Sequence, residues 1–90
     1  MATRVPERFS ITDSAMGVIR GLVARPRYVA YVCWLETLNL EGWSVVSHEE
    51  RECDEPVELS GIRFVFDPHR KDELTGKTLD WIDGHGFSVT

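Results

Sequence analysis

The sequence predicts an α+β domain built mainly of antiparallel β-sheet, with one N-terminal amphipathic helix. Three observations predict it. Ala15, Met16, Ile19, Leu22 and Val23 recur at three- and four-residue steps, as one apolar helical stripe does. Residues 28–35 form a β-branched and aromatic run without proline or glycine, which suits a strand buried on both faces. After it come short apolar runs divided by Gly, Pro and charged stretches, which suit several short strands.

Phe9 and Ile11 alternate with Ser10 and Thr12, so the chain opens on a half-buried strand. Thr12, Asp13 and Ser14 then offer side-chain oxygens that can cap a helix starting near Asp13 and stopped by Pro26. Gly17 and Gly21 weaken helix propensity, and their spacing is read as close approach of this helix to the sheet. Residues 28–35 are the central strand, residues 36–41 a loop, and residues 42–48 its antiparallel hairpin partner. Residues 49–56 carry five acids with Arg51 and Cys53, too charged for a core, and read as a solvated surface loop. Val57 and Leu59 belong to a short strand, Ser60-Gly61 to a tight turn, and Ile62, Phe64 and Phe66 to one face of the next strand. Pro68 begins a short polar turn or helical segment containing Leu74, Gly76 resets the chain, and residues 79–82 and 87–89 are two closing strands.

The last third carries a further signal. A strand runs into Asp67-Pro68, followed by a turn with Leu74, a Gly76 turn, the triplet Leu79-Asp80-Trp81 and a final Gly86-Phe87. With the opening Phe9-Ser-Ile-Thr-Asp-Ser-Ala15, this succession resembles the HesB/IscA-like family of A-type iron–sulfur carriers over residues 9–89. The resemblance implies a compact β-sandwich or barrel with the helix on one side, spanning residues 1–90 as one domain. It also implies a three-cysteine ligand set: one in a Gly-Cys-x-Gly loop and a pair in a tail beyond the Gly-Phe strand. Here Leu40 stands where the first would be if the loop is anchored on Gly42, and the sequence stops three residues after Phe87. The expectation is a divergent member without the usual ligand cysteines.

Ninety residues fit one small domain with a thin core, and 42% hydrophobic with 28% charged residues is an ordinary globular balance. A net charge of −5 speaks against phosphate-backbone binding, so nucleic acid is not expected as a partner. No apolar run approaches membrane-spanning length and residues 1–7 do not resemble a secretory leader, so a membrane is not expected either and the location is read as cytoplasmic. Cys33 and Cys53 lack a CxxC spacing and read as reduced thiols, a single bridge between them being the less favoured alternative.

Cys33 lies among Val32, Trp34 and Leu35, where a thiol behaves as a small apolar residue. Cys53 sits among carboxylates that disfavour its thiolate, and His48 is five residues before it. Together Cys33, Cys53 and His48 are the candidate metal ligands, with Glu49 or Asp54 as helpers, although no spacing matches a closed site. His69 and His85 read as turn residues, and Asp67, Asp80 and Asp83 as turn caps more than as an acid–base set. Trp34, Trp43 and Trp81 are packing residues, any of which can serve as a partner anchor if left at an edge. No phosphate loop, Ser/His/Asp set or HExxH is present, so no enzymatic activity is expected.

The sequence-level conclusion is a non-enzymatic HesB/IscA-like scaffold that has lost its cluster ligands and serves iron–sulfur cluster assembly as an accessory or interaction module. It would hold no cofactor and would act through protein partners, self-association as a homodimer included. The alternative is an iron or iron–sulfur cluster carrier using Cys33, Cys53 and His48, completed across a dimer.

Overall fold

Thr12 starts the helix in the manner its position suggested. Its backbone is extended and its hydroxyl accepts the Ala15 N–H at 3.2 Å, satisfying one of the donors a helix start leaves unpaired. The computed structural model describes residues 5–38 and 41–90. In chain order it contains β1 (Ser10–Ile11), α1 (Asp13–Leu22), β2 (Tyr28–Glu36), β3 (Glu41–Glu49), β4 (Val57–Leu59), β5 (Ile62–Phe66), a short 3-10 helix (Lys71–Leu74), β6 (Thr78–Ile82) and β7 (Gly86–Val89). No helix among the described residues is long and apolar enough to cross a membrane.

The strands form two sheets, ordered β3-β2-β5-β4 and β1-β6-β7. The α+β class holds, but both sheets are mixed rather than mainly antiparallel. β2 pairs β3 antiparallel and β5 parallel, and β6 pairs β7 antiparallel and β1 parallel. Period-two alternation reports which face a side chain takes and says nothing of a neighbour's direction, which is why the parallel pairs were not foreseen. No closed barrel forms among the described residues, since the two sheets remain separate ladders. The β4–β5 hairpin turns through Ser60 and Gly61, both at positive φ (51° and 79°), the primed turn that matches strand twist.

The core lies on one face of the four-stranded sheet. The register puts Ala30 against Phe64 and Val32 against both Phe66 and Val45, all buried. α1 covers this face and β6 with Ala15 and Ile19, both fully buried. Phe9 meets Phe66 edge to face at 5.6 Å, and Leu74 and Leu79 close the layer without any exposure. Two expectations fail on the helix. A Cβ on Gly17 or Gly21 would meet nothing within 4 Å, so neither glycine permits close packing; both face open space. Leu22, counted in the buried stripe, is 38% exposed and ends the helix short of Pro26.

Candidate functional site

The opposite face of the four-stranded sheet carries the thiol and imidazole chemistry. By register, Val29 and Cys33 of β2 stand opposite His48 and Ser44 of β3, with Tyr31 between them opposite Val46 and Val65. The loop of residues 50–56 folds towards this face and rims an open hollow of about 460 Å³. Cys53, Arg51 and Asp54 line it on the loop side, Tyr31, Val65 and Pro68 on the sheet side.

Cys33 is buried and Cys53 exposed, and both are free thiols. Burial pushes the Cys33 thiol up from its usual value, and the Asp67 carboxylate adds to the shift. A protonated thiol walled in by strand neighbours is a poor nucleophile and a poor ligand. Tyr31 is likewise raised, first by burial, then by Asp67 and Cys33.

His48 has both ring nitrogens engaged. Nδ1 lies 2.9 Å from the Glu49 carbonyl, which only accepts, so Nδ1 carries the proton; Nε2 lies 3.2 Å from Arg51 Nη2, which only donates, so Nε2 accepts. The ring also leans on Tyr31 at 5.7 Å. Asp54 completes the knot: its Oδ2 accepts the Arg51 backbone N–H at 2.8 Å and lies 4.0 Å from His48 Nδ1. Only 7% of the Asp54 side chain is exposed, so one acid of the supposedly solvated loop is tucked inside.

Cys33 and His48 thus share a sheet face, and Cys53 stands on the loop above it. Among the described residues no group of three His, Cys, Asp or Glu side chains comes close enough to share a metal ion. As it stands this donor set does not fit a metal or cluster: one thiol is buried, one imidazole is doubly occupied, and the second thiol is on the exposed loop. Leu40, where the resemblance would place a ligand cysteine, lies outside the described residues.

The remaining candidates are structural. Asp67 Oδ1 accepts the His69 N–H at 2.9 Å, an Asx turn around Pro68. Asp80 Oδ1 accepts the Thr12 hydroxyl at 2.7 Å and the Trp81 N–H at 2.8 Å. Asp83 Oδ1 accepts Trp81 Nε1 at 3.0 Å. His69 and His85 are exposed on turns. All three tryptophans are half-buried: Trp34 and Trp43 meet edge to face at 5.9 Å, directly opposite in register, and Trp81 meets Phe87 at 4.9 Å in the same manner.

Two features were not anticipated. The Arg70 guanidinium lies 4.5 Å over the Trp34 ring. An apolar groove of about 450 Å³ also opens between α1, the β2–β3 hairpin and the β6–β7 hairpin. Its sequence signal was the pair Trp81 and Phe87, which a short hairpin sets directly opposite each other.

No protein-family model matches the sequence, and no curated protein does. Solved structures do match. The chain is similar to Escherichia coli SufA, involved in biosynthesis of iron–sulfur clusters, with TM-score 0.63 and 20% identity over 91% of this chain and 81% of that one. A protein from Aquifex aeolicus solved by solution NMR gives TM-score 0.62 and 18% identity over 100% and 97%. IscA with a [2Fe-2S] cluster gives 0.53 and 15% over 90% and 78%. The fold is therefore the HesB/IscA-like one that the order of residues in the last third resembled.

Proposed function

We propose that this chain is one HesB/IscA-like domain that serves iron–sulfur cluster assembly as a non-enzymatic accessory module, acting through protein contacts and holding no cluster of its own. The observation that carries this reading is the disposition of the donors: Cys33 is buried in the sheet while Cys53 is exposed on a loop, and His48 is committed to Glu49 and Arg51. The likeness to SufA and IscA supplies the connection to iron–sulfur assembly. A soluble, cytoplasmic protein working with a protein partner or as a homodimer fits this role.

A second reading is kept because one observation favours it. Cys33 and His48 share a sheet face and Cys53 belongs to the loop folded towards it, so a rearranged loop or a dimer partner can complete a site for an iron or iron–sulfur cargo. An anaerobic iron and sulfide assay with a visible absorption spectrum separates the two, on protein as purified, after reconstitution, and in Cys33→Ser and Cys53→Ser variants. The first reading expects a colourless protein in every case. Stoichiometric iron with thiolate charge-transfer bands that vanish in either variant would replace it with the second.

A further inference from the structure

The apolar groove shares no lining residue with the hollow beside the thiol face and has no role in the reading above. Val18 and Leu22 of α1 form one wall, Leu35 and Trp43 of the β2–β3 hairpin the floor, and Trp81 and Phe87 the other wall. Leu22 and Leu35, both lining the groove, are 38% and 43% exposed. A chain with so thin a core gains by burying such residues, and here two of them join the half-buried Val18, Trp43, Trp81 and Phe87 in one continuous apolar lining.

Charge says what kind of partner fits. Among the described residues no Lys or Arg lines the groove; its titratable lining is Glu41 and His85. Glu36 stands directly opposite Glu41 in the ladder, a like-charge pair that costs stability in the isolated sheet. Asp83 is held on Trp81 Nε1 beside the other wall. Glu36 Oε1 accepts the Trp34 Nε1–H at 2.9 Å, a neutral donor, and none of the three carboxylates is among those of Glu50, Asp54 and Glu73 that meet a cation. A second copy would bring this acidic rim against itself on a chain of net charge −5, whereas a basic partner would neutralise it.

We infer that this groove docks an amphipathic segment of a protein partner whose apolar side chains are flanked by lysine or arginine. The groove's size falls within the roughly 300–1,000 Å³ of pockets that accept compact ligands, and the mode is an apolar face laid into a groove with charge at the rim. The inference rests on the interaction-module reading for its biological sense, but its test is independent of iron.

The test is fluorescence anisotropy with two labelled synthetic peptides of one length and apolar pattern, one Leu/Lys and one Leu/Glu, alongside sedimentation of the chain alone. The Leu/Lys peptide is expected to bind and the Leu/Glu peptide not to. Leu22→Gln with Leu35→Gln should abolish binding while circular dichroism stays unchanged, both side chains being already partly exposed. Glu41→Lys should weaken the Leu/Lys peptide about two- to fivefold, the weight of a rim ion pair. Equal binding of the two peptides, no binding of either, binding that survives the double Gln variant, or a dimer of the chain that the same variant dissolves would each overturn the proposal. A coloured protein in the iron assay would remove the accessory-module reading and leave these titrations to stand or fall by themselves.

Discussion

Thr12 and Asp80, 68 positions apart, are joined by a 2.7 Å hydrogen bond from the Thr12 hydroxyl to Asp80 Oδ1. The same hydroxyl caps α1, and the same carboxylate oxygen takes the Trp81 N–H, so one link ties the helix start to β6. Asp80 of the Leu79-Asp80-Trp81 triplet is thus placed by architecture and needs no chemical role. Asp80→Ala is expected to cost about 1–3 kcal/mol and Thr12→Ala about 1–2 kcal/mol in urea unfolding. Because both remove one bond, the double variant should cost less than the sum by about 1 kcal/mol. Strict additivity would mean that the two groups act separately.

The buried Cys33 thiol and the half-buried Tyr31 phenol make stability pH-dependent at the alkaline end. Cys33 is raised above its usual 9.0 and Tyr31 above 10.0, in both cases chiefly by burial. The unfolded chain therefore loses these protons at lower pH than the folded one, and between the two values it binds fewer protons, so stability falls as pH rises. The contribution is whole below 9.0 and drains away as pH climbs through the folded values. Urea midpoints should hold steady from neutral pH to near 9.0 and then decline, with a later onset in Cys33→Ala, where only Tyr31 remains. A midpoint that climbs with alkali contradicts this.

What could be read from the chain beforehand was whatever is local. The Thr12 cap, the shared face of Ile62, Phe64 and Phe66, and the Ser60-Gly61 turn follow from residue type and spacing, and the structure has each. The order of Asp67-Pro68, Gly76, Leu79-Asp80-Trp81 and Gly86-Phe87 carried the fold because it records turn chemistry between strands. Pairing direction was not legible: nothing in residues 28–36 says that β5 lies alongside in parallel. Asp54 was hidden by its acidic neighbours, since a buried carboxylate is betrayed only by its partners, the Arg51 N–H among them. The spacing of Gly17 and Gly21 suggested packing, but the face they occupy depends on how α1 rotates onto Ala15 and Ile19. For the candidate site, residue types were visible and their disposition was not. His48 looked available as a ligand until the folded loop supplied Arg51 to its second nitrogen.

Leu74 shows how much a polar stretch can conceal. It follows Lys71, Asp72 and Glu73 in a one-turn 3-10 helix, yet has no exposed surface and packs in the core with Leu79 and Phe66. In so small a core one leucine is a sizeable share of the buried volume. Leu74→Ala should cost about 2–5 kcal/mol through lost transfer energy and the cavity left behind. The neighbouring Glu73→Ala, on an exposed residue, should change stability by less than about 0.5 kcal/mol. Denaturation of the pair checks it; equal effects would place Leu74 outside the core.

The knot of His48, Arg51 and Asp54 predicts the behaviour of the loop above the thiol face. Asp54 Oδ2 holds the Arg51 N–H at 2.8 Å, while the Asp54 N–H donates to the Arg51 carbonyl at 3.0 Å, so the two residues close a turn that presents Cys53 outward. Asp54→Ala leaves a donor without its partner and is expected to cost about 1–2 kcal/mol. Asp54→Asn keeps an acceptor at the same place and should cost less. Opening of the turn exposes the bond after Arg51, so trypsin should cut there faster in Asp54→Ala than in the parent, with Asp54→Asn between them. Alkylation of the native protein followed by mass spectrometry should show one adduct, on Cys53, with Cys33 reacting only after unfolding. If Cys33 were labelled in the native state at the rate of Cys53, the sheet face would be open, and the donor arrangement argued against a resident cluster would have to be abandoned.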